Sequence, residues 1–230
     1  MNGVLVLLRH GQSVWNAENR FTGWVDTELT ERGIAEARCA GQLLVSAGIA
    51  PDAVHTSLLH RAISTTNLAL EKADRLWLPV ERTWRLNERH YGALTGLNKA
   101  ATAERYGAEQ VHSWRRSYDD RPPALEDISA FRTDPRYHNL SDTEIPCSES
   151  LADVQARLLP YWNDRIVPQL TAGQTVLLGA HANSIRALVK HIETMSDEAV
   201  VELQIATGTS RVYEVGVTNT GLLFSSAQVL

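Results

Sequence analysis

Four short stretches hold side chains that together could move a phosphoryl group: Arg9-His10-Gly11, Ser57 to Arg61, Arg85 to Glu88, and His181-Ala182-Asn183. A neutral imidazole can attack phosphorus, and a covalent phosphohistidine splits one hard displacement into two easier ones. Guanidinium groups donate paired hydrogen bonds to phosphate oxygens and stay charged at any working pH. On this pattern His10 is the nucleophile, Arg9 and Arg61 hold the phosphate, and His181 donates to the equatorial oxygens as charge builds there. Glu88 protonates the leaving alkoxide and, in reverse, takes the proton from an attacking hydroxyl. Each of these residues alone has an ordinary structural reading, so the inference rests on their joint placement.

Other chemistries lack their residues. The two histidines have no HxxxH, HxH or CxxC spacing around them, and arginine beside His10 repels a cation, so no metal is expected. The chain holds no GxxxxGK[ST] loop, no GxGxxG fingerprint and no GxSxG nucleophile elbow.

The elements that must position the four stretches are legible from hydrophobic pattern. Val4 to Leu8 is a short unalternating apolar run, the pattern of a strand covered on both faces, and Thr175 to Leu178 repeats it. Thr30 caps a helix with Ile34, Ala37, Gly41 and Leu44 at helical spacing and Gly48 as its stop. A strand is expected from Asp52 to Thr56, a helix from about Leu58 to Leu70, and an extended segment from Trp77 to Trp84. Ser150 and Asp153 open a long helix through Leu151, Val154, Leu158, Trp162 and Ile166, which Pro160 bends. Asn183 or Ser184 begins a helix with Ile185, Leu188, Val189 and Ile192 on one face. Val212 to Val217 and Leu222 to Ser225, joined by Thr218-Asn219-Thr220-Gly221, form a closing hairpin or a pair of edge strands.

This βαβ rhythm, without repeats or linkers, predicts one α/β domain over residues 1–230: a three-layer α/β/α sandwich around a mostly parallel sheet. In such sheets ligands bind beyond the carboxyl ends of the strands, where all four stretches fall. Ser117 to Cys147, with Pro122, Pro123, Pro135 and Pro146 and little periodicity, is expected to be an insertion acting as a lid or binding loop.

With 43% hydrophobic and 21% charged residues, the 230-residue chain has an ordinary globular mix, and its net charge of -5 argues against a nucleic-acid partner. Any cationic patch must be local. Cys39 and Cys147 stand far apart, no apolar run reaches the roughly 20 residues of a membrane span, and no signal-peptide pattern opens the chain, so a cytoplasmic protein is expected.

Leu8-Arg9-His10-Gly11-Gln12-Ser13-Val14-Trp15-Asn16, followed by Phe21-Thr22-Gly23-Trp24, resembles the signature of the histidine phosphatase superfamily. Leu86 to Lys99, Trp114-Arg115-Arg116-Ser117-Tyr118-Asp119, Asp134 to Tyr137, Leu159 to Trp162 and His181 to Leu188 narrow the resemblance to the 2,3-bisphosphoglycerate-dependent phosphoglycerate mutases. The resemblance implies that family's fold with an inserted region at about 90–147, and interconversion of 3-phosphoglycerate and 2-phosphoglycerate through phosphorylated His10. 2,3-bisphosphoglycerate would be the primer, with no metal. It implies Glu88 as proton donor and acceptor, Arg9, Arg61 and His181 around the transferring phosphoryl group, and Asn16 beside it. Thr22, Gly23, Tyr91, Lys99, Arg115, Arg116 and Asn183 would hold the carboxylate and second phosphate, and Gly11, Gln12, Ser13, Arg89, His90 and Ala182 complete the substrate-contacting set. The family's members range from monomers to tetramers, and a homodimer is the assembly expected here.

Two departures carry expectations. Ala182 stands where the family usually has glycine, which costs on the order of 1 kcal/mol if that backbone needs a positive φ. The sequence ends at Leu230 without a lysine-rich tail, so leakage of the phosphoryl group to water is expected. A phosphatase on the same scaffold is therefore the alternative activity, and a catalytically silent anion-binding module is the reading from another class.

Overall fold

Val4 to Leu8 is apolar throughout because both faces of this strand are covered. In the computed structural model, which describes residues 2–219 and 221–230, Leu5 and Leu7 join one core with Leu158, Trp162, Ile185 and Leu188. Val6 and Leu8 join another, with Ala40, Leu44, Ala69 and Leu70. The alternation of a strand thus feeds two cores from one apolar run.

The chain runs β1 (Gly3–Arg9), α1 (Val14–Ala17), α2 (Glu31–Ser46), β2 (Ala53–Thr56), α3 (His60–Lys72) and β3 (Val80–Arg82). It continues with α4 (Lys99–Tyr106), α5 (Ala108–Arg116), α6 (Ser129–Arg132), α7 (Leu151–Tyr161), α8 (Val167–Thr171) and β4 (Thr175–Ala180). Then come α9 (Ala182–Ile192), α10 (Asp197–Glu202), β5 (Ser210–Thr218), β6 (Gly221–Phe224) and β7 (Gln228–Val229). The sheet order is β3-β2-β4-β1-β5-β6, with β7 also paired to β5. β1, β2, β3 and β4 pair in parallel, whereas β5 runs antiparallel to β1, β6 and β7. With α2 and α3 on one face and α7, α8 and α9 on the other, this is the expected α/β/α sandwich with an antiparallel edge. Among the described residues no helix is long and apolar enough to cross a membrane.

Several local expectations are corrected. The segment Trp77 to Trp84 contributes only β3, because Pro79 cannot donate to a ladder and Trp77 is 69% exposed; Trp84–Leu86 turns into a 3₁₀ helix. Pro160, lacking an N–H, is followed by a π-helical turn over Trp162–Ile166 that divides the long helix into α7 and α8. α3 begins at His60, and α9 begins at Ala182 with His181 as its N-cap. Thr220 of the expected turn lies outside the described residues. The expected insertion is no loose excursion: Ile128, Tyr137 and Ile145 bury against Trp24, with Leu125, Phe131, Leu140, Leu58 and Trp84 around them. Before it, α4 and α5 were not evident from hydrophobic pattern, since each buries one side chain, Thr102 and Val111.

Candidate active site

Strand register brings the two histidines together. Leu8 pairs with Gly179 and Arg9 with Ala180 in the parallel β1–β4 ladder, so the next residues on each strand, His10 and His181, emerge side by side at the carboxyl edge, their rings 5.0 Å apart. Thr56 of β2 also pairs with Gly179, which sets Ser57 one residue beyond the same edge, and its hydroxyl lies 2.8 Å from His181 Nε2. Glycine at 11 is required by packing, since a Cβ there would run into the backbone of Gly33.

The ring of His10 has a defined tautomer. Its Nδ1 lies 2.7 Å from the carbonyl oxygen of Gly11. A carbonyl only accepts, so Nδ1 carries the proton and Nε2 keeps its lone pair. Burial, then the nearby charges of Arg61 and Arg9, hold the imidazole well below the usual histidine range, so it is neutral at pH 7. His181 is depressed likewise, by burial first and Arg61 second. Ser57 Oγ accepts from Leu59 N–H at 3.1 Å and lies 2.8 Å from His181 Nε2, while Nδ1 of His181 is buried with no partner among the described residues.

Glu88 arrives from the segment after β3 and is 7% exposed. Its Oε1 accepts from Arg89 N–H at 2.8 Å and from Asn183 N–H, in the first turn of α9, at 3.1 Å. A carboxylate suits a helix N-terminus. Both backbone donors use the same oxygen, so Oε2 faces the cavity with its lone pairs free for proton transfer.

The cavity measures about 350 Å3, at the small end of ligand clefts. Arg9, Arg20, Arg61, Lys99, Arg115, Arg116 and Arg186 line it, seven cations against the single carboxylate of Glu88, together with His10, Asn16, Thr22, Gly23, Tyr91, Ala182 and Asn183. Protein carbonyls hold five of the cations, Arg9, Arg20, Arg61, Arg116 and Arg186, in place. Arg61 donates to Val25 O and Gly23 O, and Arg9 to Ile205 O. Burial lowers Arg61 to about 10, which keeps it charged at neutral pH. Arg9 Nε, Thr22 Oγ1 and Arg186 Nε are buried at this cavity without a partner among the described residues. A small, multiply anionic ligand would suit such a set of donors.

Some expected residues lie elsewhere. Gly11, Gln12, Ser13, Arg89, His90 and His181 are not among the residues lining the cavity, although His181 stands directly beside His10, which is. Gln12 N–H donates to Glu36, Ser13 caps α1, and Arg89 donates to the carbonyl of Arg115 at 2.6 Å. His90 sits among Trp24 and Phe131, with Nδ1 accepting from Gly92 N–H. Conversely Arg20, Arg186, Gln204, Ile205 and Ala206 line the cavity and were missed. Arg186 lies three residues from Asn183 on α9 and donates to its Oδ1, a spacing that could have flagged it.

Ala182 is not among the described non-glycine residues with positive φ and begins a regular helix. Ala182→Gly should therefore give no stability, lowering it by up to about 1 kcal/mol; a stabilised variant in denaturant unfolding would contradict this.

The buried histidines also predict a pH dependence. Burial first and Arg157 second push His90 down to about 4, from an ordinary 6.5. The unfolded chain therefore takes up the proton first as pH falls. Stability is fully present above pH 6.5 and declines towards about pH 4, by about 3 kcal/mol from this group. His10, His55 and His181 shift in the same direction. Unfolding midpoints should fall steadily below pH 6.5, and a flat profile between pH 7 and 5 would contradict the assignment.

Comparison with known proteins agrees with this geometry. The model of the histidine phosphatase superfamily (branch 1) matches residues 5–134 and 132–226. A 2,3-bisphosphoglycerate-dependent phosphoglycerate mutase of Thermobifida fusca is 58% identical over 213 residues, 92% of this chain and 86% of the relative. One from Corynebacterium diphtheriae is 57% identical over 222 residues, 96% and 89% of the two chains. Among solved structures, a mycobacterial glucosyl-3-phosphoglycerate phosphatase complexed with VO3 superposes with a TM-score of 0.75 at 25% identity, covering 99% of this chain and 98% of its own. With a fold of that kind and relatives this similar along nearly the whole sequence, the chain belongs to the histidine phosphatase superfamily, branch 1, and within it to the 2,3-bisphosphoglycerate-dependent phosphoglycerate mutases.

Proposed function

We propose that the chain interconverts 3-phosphoglycerate and 2-phosphoglycerate through a phosphohistidine at His10 Nε2. The observation that carries the reading is the convergence, in one cavity, of a neutral His10 with a free Nε2, Glu88 with a free Oε2, and seven cations. When bound, 2,3-bisphosphoglycerate supplies the phosphoryl group that primes His10. Arg9, Arg61 and His181 hold the phosphoryl oxygens, with Asn16 beside them. Thr22, Gly23, Tyr91, Lys99, Arg115, Arg116 and Asn183 hold the carboxylate and the other phosphate.

In the forward step Glu88 takes the proton of the substrate hydroxyl, that oxygen attacks phosphorus, and the bond from phosphorus to His10 Nε2 breaks. In the return step Nε2 attacks the other phosphate and Glu88 protonates the alkoxide that leaves. Tyr91, drawn towards ionisation by Arg89 and Lys99 against the opposing effect of burial, donates or accepts at the same wall of the cavity. Lys99, Arg115 and Arg116 come from α4 and α5, outside the sheet. They give the cavity a second anchor for an anion, which a monoester phosphatase does not need. We also propose a cytoplasmic homodimer, which light scattering would test.

The mutase reading is tested by incubating the protein with 3-phosphoglycerate, no metal added, with and without catalytic 2,3-bisphosphoglycerate, while following 2-phosphoglycerate and free phosphate. Bisphosphate-stimulated 2-phosphoglycerate with little free phosphate is expected; free phosphate alone would assign hydrolysis instead.

A further inference from the structure

We infer that Arg157 and Glu149, neither of which lines the cavity, are positioning residues that hold Glu88 where it can move a proton, an inference that rests on the role proposed for Glu88. Glu88 lies in the stretch 83–90, which no strand ladder holds and whose only helical element is the 3₁₀ turn Trp84–Leu86. Arg157, on α7, spends its whole guanidinium on this stretch and on Glu149. Its NH1 donates to Arg85 O at 2.6 Å and Trp84 O at 3.4 Å, and its NH2 to Asn87 O at 2.9 Å and Glu88 O at 3.1 Å. Nε and NH2 also reach the two oxygens of Glu149 at 2.6 and 3.2 Å. Glu149 closes the other end: its Oε2 accepts from His90 N–H at 2.8 Å, and its own N–H donates to His90 O at 2.9 Å.

The pair is nearly dry, with side chains 7% and 3% exposed. A buried ion pair is weak evidence for stability, because well-packed apolar residues of similar volume often do as well. What apolar residues could not reproduce is the geometry, four carbonyls and one N–H of a single irregular segment fixed from one side. The segment so fixed ends in the carboxylate whose Oε2 faces His10's cavity. Only a planar fork of donors can span those carbonyls, so lysine is not an equivalent.

The test is a double-mutant cycle. Arg157→Met and Arg157→Lys are made in the parent chain and in Glu88→Gln, and kcat and KM for 3-phosphoglycerate are measured with 2,3-bisphosphoglycerate present. In the parent, kcat should fall about 100-fold for methionine and about 10-fold for lysine, as for an ångström-scale misplacement, with KM within about threefold. In Glu88→Gln the same substitutions should change the residual kcat by less than about threefold, since the proton step they serve is already gone. Equal losses in both backgrounds, or a loss confined to KM, would overturn the inference. If Arg157→Met does not fold, Arg157→Lys, which keeps a cation beside Glu149, decides alone. A Glu88→Gln protein as active as its parent would instead overturn the role of Glu88 itself.

Discussion

His10→Ala should abolish exchange between the phosphoglycerates, with a loss on the order of 10⁴-fold to 10⁶-fold, the scale seen when a covalent nucleophile is removed. The size follows from the ring's environment. Nδ1 is committed to the Gly11 carbonyl, Nε2 is left with its lone pair, and burial with Arg61 and Arg9 keeps the imidazole unprotonated. His181, the other buried imidazole at this edge, has its Nε2 engaged by Ser57 Oγ at 2.8 Å. The phosphate pocket should nevertheless survive the substitution, because Arg9 and Arg61 are held by the carbonyls of Ile205, Val25 and Gly23 and not by His10. Vanadate binding, read by calorimetry, should therefore persist while turnover disappears. Activity at the parent level would remove His10 from the mechanism, and loss of vanadate binding as well would make its role structural.

Glu88→Gln should lower kcat by about 10²-fold to 10⁴-fold, the range for a lost general acid and base. The amide oxygen of glutamine can still accept from Arg89 and Asn183, so the local fold is kept, but the group facing the cavity can no longer give or take a proton. The loss should depend on the leaving group. Release of p-nitrophenolate, which leaves without a proton, should suffer far less than release of the phosphoglycerate alkoxide. An equal loss on both would mean that Glu88 shapes the cavity without moving a proton.

Much of this site is legible before any coordinates, because its catalytic half hangs on buried strands. Apolar runs at Val4 to Leu8 and Thr175 to Leu178 identify β1 and β4, and parallel pairing then requires the residues after each run to meet at one edge. That is why His10 and His181, 171 positions apart in sequence, could be paired without coordinates. Arg61 and Glu88 lie farther from their strands, Arg61 in the first turn of α3 after β2 and Glu88 beyond the 3₁₀ turn that follows β3. The rest of the cavity is built by long-range hydrogen bonds that leave no periodic trace. Arg186 reads as one more helical arginine until its contacts are seen, to Asn183 Oδ1 and to the carbonyls of Arg116 and Val200. Gln204 to Ala206 come from the loop after α10, which is placed by burial of Ile205 in the core and by the hydrogen bond from Arg9 to its carbonyl, neither of which shows as a periodic pattern. His90 and Arg89 adjoin Glu88 in sequence yet do not line the cavity: His90 enters an aromatic cluster, and Arg89 sits behind Tyr91 and donates to the end of α5. The proline-rich stretch after Ser117 reads as a loop because its buried residues Ile128, Tyr137 and Ile145 follow no period and close on Trp24, about a hundred residues earlier.

Labelling with 2,3-bisphosphoglycerate carrying a radioactive phosphoryl group, followed by quenching and peptide mapping, addresses the phosphohistidine itself. An acid-labile label on His10 that a chase of 3-phosphoglycerate moves into phosphoglycerate, and not into free phosphate, is the result expected. Label on another residue, or full mutase turnover with none on His10, would contradict it.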